Sequence, residues 1–249
     1  MVISWNSVMR TFSISIDDGY PYDLTLGENL RKMGLISTFY IPKWNRENRP
    51  VLSFSDIREL NSMGHHIGSH TYSHRYLTSV DGTTARREIV DGNNYIQDVV
   101  GKKVTSFCFP GGKYNSNILK FVEQMGFDFV RTIHNFNVVK REDFLVKTAF
   151  QLYPHSKTTL IKNFVSQKFM VDPSIVKFRF CCDFTPNHAM VSNLPQSDAH
   201  LHFWMHSWEI CEQSIDYMGF FNQIQDYGWI NKPLENFITS PVKTAKDIF

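Results

Sequence analysis

RTFSISIDDGYPYDLTLGENLRKMGLISTFYIP, from Arg10 to Pro42, is the stretch that decides the fold. Its opening, RTFSISIDDG, reads as a strand that ends in two acids. TLGENLRKMG then reads as a helix with Gly34 as its stop signal, and ISTFYIP as a second strand. The same alternation continues downstream. SDIRELNSMG is a helix, capped by Ser55 or Asp56 and ended by Gly64, and HHIGSH is a short strand. TTARREIVDGNNYIQDVVG is a longer helix, VTSFCFP a strand, SNILKFVEQMG a helix and FDFVRTI a strand. A β-α unit repeated about four times argues for a parallel α/β sheet or barrel. Such sheets gather their chemistry at the C-terminal ends of the strands.

From Lys140 to Ser197 the pattern is less regular. FLVKTAFQLYP is a plausible strand, Thr158–Phe169 a helix, and the rest Pro-broken loops. HLHFWMH reads as a further strand and KPLENFIT as a short terminal helix. Nothing marks a second domain, so residues 1–249 are read as one.

Composition narrows the function classes. With 42% hydrophobic and 20% charged residues, the chain has the make-up of an ordinary globular enzyme or binding domain. A formal charge of +2, with no run of Lys and Arg, gives no reason to expect a nucleic-acid partner. No apolar stretch approaches the roughly 20 residues of a membrane span. The start, MVISWNSVMR, lacks a signal-peptide pattern, so a cytoplasmic location is expected. Cys108, Cys181, Cys182 and Cys211 form no C-x-x-C pair and are expected to be buried, reduced thiols.

Three strand ends concentrate unusual side chains. Asp17-Asp18-Gly19 places two carboxylates side by side, which both stay ionised only beside something positive; Asp-Gly is also a common turn pair. His70 and His74 lie within GHHIGSHTYSH, which holds four of the ten histidines. A spacing of four puts two imidazoles on one helical face, within reach of one metal ion. Two histidines and a carboxylate form a frequent catalytic metal set. His65 and His66 are read as structural. His206 ends the apolar strand HLHFWMH, where a buried histidine needs a partner, and His202 competes with it for any catalytic role.

SISIDDG, SHTYSH, FCFPGGKYN and HFWMH follow one another in that order, each at an expected strand end. In this the chain resembles the polysaccharide deacetylase family, also called the NodB-homology or carbohydrate esterase family four. The resemblance covers roughly Thr11 to Glu209. It implies a distorted (β/α) barrel, often seven-stranded, and a divalent metal. Zinc comes first, with cobalt, nickel or iron also suited to two nitrogens and one carboxylate. By similarity Asp17 is the general base, Asp18, His70 and His74 hold the metal, and His206 is the general acid. The family's Arg-Pro-Pro-Tyr-Gly segment aligns with Cys108-Phe109-Pro110-Gly111-Gly112, which puts the Gly111 N–H in the oxyanion position. Pro110, Gly112 and Tyr114, with Trp204 and Trp208 flanking His206, are expected to line the substrate pocket.

Two departures stand out. Cys108 replaces the motif arginine and supplies no charge; Arg131, at the end of the next strand, is the expected substitute tether for Asp17. Gly111 replaces a tyrosine, which is expected to open the site. The aromatics Phe150, Tyr153, Phe164, Phe169, Phe178, Phe180 and Phe184 are expected to be mostly core. Trp44 is a candidate sugar platform, with Lys43 and Arg46 beside it for an anionic group.

The reading implied is a metal-dependent hydrolase that removes an N-acetyl or N-formyl group from an amino sugar in a glycan or its precursor. Surface-polysaccharide or O-antigen synthesis is the analogy. The alternatives are a hydrolase of a small non-sugar amide and a catalytically inactive carbohydrate-binding relative. The oligomeric state is left open.

Overall fold

The computed structural model describes residues 9–167, 171–182 and 193–239. Its strands are β1 (Arg10–Asp17), β2 (Thr38–Ile41), β3 (His66–Ser69), β4 (Ser106–Cys108), β5 (Phe129–Arg131), β6 (Leu145–Val146), β7 (Phe150–Gln151), β8 (Ala199–His206) and β9 (Ile230–Asn231). All strand pairs are parallel, in the order β6-β5-β4-β3-β2-β1-β8-β7, with β9 beside β1. The ends of that order, β6 and β7, are consecutive in the chain. The Val130 and Thr132 amides donate to the Phe144 and Val146 carbonyls at 2.7 and 2.9 Å. The Ala149 and Leu152 amides donate to the His202 and Trp204 carbonyls at 2.7 and 2.8 Å. One bent run, the expected strand FLVKTAFQLYP, therefore bridges both edges and curls the sheet into a distorted barrel. Counted as one, it is the seventh strand beside β1–β5 and β8.

The helices are α1 (Tyr22–Lys32), α2 (Phe54–Ser62), α3 (Gly82–Val100), α4 (Ser116–Gln124), α5 (Lys157–Ser166), α6 (Pro173–Cys181), α7 (Ser207–Gln213), α8 (Tyr217–Asp226) and α9 (Leu234–Phe237). α1–α3 bury Leu26, Leu30, Ile57, Leu60, Ile89 and Ile96 in the same core as Phe12, Ile14, Ile16 and Phe39 of the sheet. Each such side chain contributes about 1.5–3 kcal/mol when removed from water. The cap of α2 is Ser53, not Ser55 or Asp56. Asp56 instead completes a capping box by accepting the Ser53 amide at 2.9 Å. α6 was not expected: Pro173 begins it rather than breaking a loop, and Asp172 caps it. Neither α7 nor α8 was anticipated. Phe150 and Phe178 are core, Phe164 packs on it, and Phe180 is exposed. Phe169 and Phe184 lie outside the described residues. All four cysteines are free, but Cys181 and Cys211 are exposed, contrary to expectation. Among the described residues no helix is long and apolar enough to cross a membrane.

Period-two alternation gives this barrel a polar lining. On β1, Phe12, Ile14 and Ile16 alternate with Thr11, Ser13, Ser15 and Asp17; on β8, Leu201, Phe203 and Met205 alternate with His200, His202, Trp204 and His206. The register places Ser13 opposite His202 and Asp17 opposite His206. His200 bonds Thr11 and Ser13 at 2.8 and 2.9 Å, and His202 bonds Ser13 and Ser15 at 2.7 and 3.0 Å. α9 closes the opposite end. Glu235 accepts from Thr38 and Ser106 at 2.8 and 3.2 Å, while Phe237 stacks on His200 at 3.8 Å.

Burial lowers both barrel histidines' pKa, that of His200 to about 3 and that of His202 well below its ordinary value. Both are therefore neutral in the folded chain. Below pH 6.5 the unfolded state takes up protons that the folded state refuses, so stability falls as pH drops. The expected loss is about 1.4 kcal/mol per pH unit per histidine. Melting temperature measured from pH 7 to 5 should fall, and less steeply in His202→Asn; equal slopes would remove His202 from this role.

Candidate active site

At the C-terminal ends of β1, β3, β4, β5 and β8 the chain builds a recess of about 170 Å³. Asp18, one residue past β1, turns into it with φ 78°. Its Oδ1 lies 3.5 Å from His70 Nε2 and 3.0 Å from His74 Nε2, and all three residues are buried. One ligand atom from each falls within 4.8 Å of the others. His70 Nδ1 donates to the Cys108 carbonyl at 2.8 Å, which aims the Nε2 lone pair at Asp18. Burial lowers the His70 pKa, so the ring is neutral at pH 7. Burial would raise the Asp18 pKa, but its contacts with His70 and His74 and the charge of His206 outweigh it and hold it well below the ordinary value. Two imidazole nitrogens and an anionic carboxylate, converging and buried, fit a divalent cation.

No helix brings His70 and His74 together, contrary to the helical-face reading. They sit on a loop in which Thr71 and His74 have φ 66° and 53°. With Asp18 that makes three non-glycine residues in the left-handed region, at about 1–3 kcal/mol each. α3 acts as the mould that holds the loop. Glu88 accepts the Ser73 amide at 2.8 Å and its hydroxyl at 2.5 Å, and the Glu88 carbonyl accepts the Tyr72 amide at 2.9 Å. Gly92 lies so close that a Cβ there would stand 2.4 Å from the Thr71 carbonyl carbon.

Asp17 and His206 face each other from adjacent strands. Arg131, fully buried, donates from Nη2 to Asp17 Oδ2. It is the Cα partner of Cys108, so the cation comes from one strand over. Its guanidinium also lies 5.3 and 5.1 Å from the Tyr40 and Trp204 ring centroids. Burial raises the Cys108 pKa well above the ordinary value, so the thiol carries no charge. His206 Nδ1 donates to Glu209 Oε2 at 2.7 Å, and Gln151 donates to the same oxygen at 2.7 Å. Burial would lower the His206 pKa, but the Glu209 bond and the charges of Asp18, Glu209 and Asp17 lift it to about 9. Glu209 and Gln151 were not anticipated; the only trace in the sequence is the H-x-x-E spacing of His206 and Glu209. His202 spends both ring nitrogens on serines and lies below the recess.

Gly111, Trp204 and Trp208 line the recess, as do Tyr76, Ile133 and Glu47, none of which the sequence had marked. Pro110, Gly112 and Tyr114 are not among its lining residues. Pro110 is buried; Tyr114 stacks on Phe109 at 4.7 Å and lines a separate cavity with His134. The two glycines do not open the site. A Cβ at Gly111 would meet Tyr76 at 2.7 Å and one at Gly112 would meet Ile133 at 2.3 Å, so these side chains fill the space. Trp208 donates to Asp18 Oδ2 at 3.2 Å, stacks on His206 at 5.2 Å and carries the Arg49 guanidinium at 3.7 Å. With partners on its ring it positions Asp18 and His206 rather than offering a stacking surface. His65 is structural, held by Ser37 and by the Gly27 carbonyl.

The Glu88 clamp yields a test. Glu88→Gln leaves one of the two Ser73 donors facing an amide N–H. If Asp18, His70 and His74 hold zinc, loosening the loop that carries His74 should lower zinc affinity in a titration by about 10-fold, the low end of what losing a supporting group around a metal site costs; unchanged affinity would return Glu88 to a packing role.

Residues 6–130 match the family model described as polysaccharide deacetylase. A chitin deacetylase of Arthroderma benhamiae is 28% identical over 133 residues, 52% of this chain and 35% of that protein. A peptidoglycan-N-acetylglucosamine deacetylase of Bacillus cereus is 26% identical over 123 residues, 49% of this chain and 55% of that protein. The matches thus span about a third to a half of those relatives. In fold, the chain is similar to the chitin deacetylase of Colletotrichum lindemuthianum, with TM-score 0.60, 14% identity and coverage of 95% and 93%. It is similar too to a family-four pseudoenzyme of Bacillus anthracis, with TM-score 0.58, 13% identity and coverage of 93% and 66%. With the motif order, the barrel and the family model in agreement, this chain belongs to the polysaccharide deacetylase family.

Proposed function

We propose that the protein is a metal-dependent amide hydrolase that removes the N-acetyl, or N-formyl, group of an amino sugar in a glycan or its precursor. The observation that carries this is a single recess shared by the Asp18–His70–His74 set, the Arg131-held Asp17 and the Glu209-held His206. A divalent cation on Asp18, His70 and His74, zinc being best suited to that set, would supply Lewis acidity to water and to the acyl carbonyl. Arg131 pairs with Asp17 and fixes Oδ2, which leaves Oδ1, buried and without a partner among the described residues, to take the proton of the attacking water. The Gly111 N–H serves the developing oxyanion. His206, charged through neutrality, gives its Nε2 proton to the departing amine while Glu209 holds Nδ1. The inactive alternative rests on the missing motif arginine, and the Asp17–Arg131 pair argues against it.

Acetate release from oligomers of N-acetylglucosamine by the zinc-loaded protein is the test. Asp17→Asn should lower the rate about 10²–10⁴-fold with zinc still bound; a wild type that releases no acetyl or formyl group overturns the deacylase reading.

The proton donor makes a separate prediction. A raised pKa keeps His206 protonated below about 9, so the rate should fall only as pH rises through that value. Glu209→Gln removes the strongest interaction raising it, and the alkaline limb should move to lower pH. An unmoved limb would assign it to another group.

A further inference from the structure

We propose that the helical pair α5 and α6 is a docking surface for an anionic lipid bilayer, and that it seats the mouth of the barrel against the headgroup layer. The position of the pair comes first. α5 begins five residues after β7. At its other end the C-cap residue Gln167 has Oε1 3.2 Å from Nδ1 of His134, which lies three residues past the end of β5. The helix therefore runs between the C-terminal ends of two barrel strands, on the face where the catalytic recess opens. α6 returns to the same rim: Arg179 donates to the carbonyl of Tyr153, two residues past β7, at 2.6 Å.

The outer side of the pair is apolar and cationic together. On α5, Leu160 is buried and Phe164 packs on the core. Lys157, Ile161 and Val165, spaced by four and so on one side of the helix, are exposed, the two apolar ones by 53% and 54%. On α6, Lys177 and Phe180 are exposed in the same way. From Ser156 to Cys182 the sequence has five Lys and Arg and a single acid, Asp172. Asp172 is spent on capping α6, where it accepts the Ser174 amide at 2.8 Å. Arg179 is buried, which leaves the lysines as the outward charge. Lys157, Lys162 and Lys177 form no ion pair among the described residues. Charge complementarity therefore calls for an anionic partner. The residue types point to lipid. Protein interfaces favour Arg, Tyr and Trp and are poor in Lys, whereas this surface exposes lysines and mainly aliphatic side chains. A headgroup layer demands no complementary shape: apolar side chains enter the acyl boundary, and lysine stems lie along it with their ammonium groups among the phosphates.

The test is co-sedimentation of the full chain with vesicles, either phosphatidylcholine alone or a two-to-one mixture with phosphatidylglycerol, at low salt. The protein should pellet with the mixed vesicles and not with the neutral ones, and added salt should weaken the binding. The double variant Lys157→Gln, Lys162→Gln should lose about fivefold in affinity per lysine. The double variant Ile161→Ser, Val165→Ser should lose about tenfold. All four side chains are exposed, so both variants should keep the wild-type melting temperature. No pelleting with mixed vesicles, equal pelleting with neutral ones, or binding indifferent to both variants overturns the surface. A loss confined to the lysine variant reduces it to charge alone and overturns the apolar part. Binding of soluble polyglutamate without binding of vesicles overturns the bilayer in favour of an acidic protein partner. Acetate release from soluble oligomers does not use these residues, so failure here leaves the proposed activity standing.

Discussion

The site depends on a guanidinium with no access to water. Arg131 is fully buried, and taking such a charge out of water costs several kcal/mol unless it is met by a partner. Asp17 meets it, and Tyr40 and Trp204 present ring faces to what remains. The dependence runs both ways. Without Arg131, Asp17 would be a buried carboxylate beside Asp18, and two adjacent anions would compete for one proton. The pair therefore offsets the repulsion between the two neighbouring acids, and the proposed base and metal set both rely on that.

The same economy of partners recurs around the recess. The polar side chains at its centre are held by neighbours: His70 by a carbonyl of β4, His206 by Glu209 and Asp18 by Trp208, while Glu88 holds Ser73, next to His74. The polar interior of the barrel belongs to this pattern. Interleaved serines and histidines of β1 and β8 satisfy one another beneath Asp17 and His206, so the strand ends are set on a rigid ladder rather than on water.

Much of this was legible in the sequence. The alternation of RTFSISID and HLHFWMH showed two strands, and the β-α rhythm up to Arg131 gave the parallel sheet. The Asp-Asp-Gly and His-x-x-x-His signals pointed to the residues that meet. Arg131 could be placed because it ends the strand next to Cys108. What was not legible depended on three-dimensional approach. That Tyr76 and Ile133 fill the space above Gly111 and Gly112 follows from loop paths that no local pattern encodes. The left-handed turns at Thr71 and His74 contradict the helical spacing rule because α3, through Glu88 and Gly92, overrides local preference. Glu209 and Gln151 come from α7 and β7, short elements in a region without periodicity. Pro173 looked like a breaker and is instead a helix's first residue, a position where its missing N–H costs nothing.

One topological fact has a kinetic meaning. β1 and β8 are direct neighbours, yet their bonded residues stand 189 positions apart, as Thr11 and His200 do. Closing a loop of that length carries an entropic cost on the order of 5 kcal/mol before any contact repays it, and such long-range pairing slows folding. The proposed metal ligands all come from the first third of the chain, whereas the proposed proton donor arrives with β8. A growing chain can thus assemble a cation-binding half before it owns an acid. On the proposed mechanism, hydrolytic competence would appear only when the final seam zips, so completion of the barrel would itself be the checkpoint that arms the site.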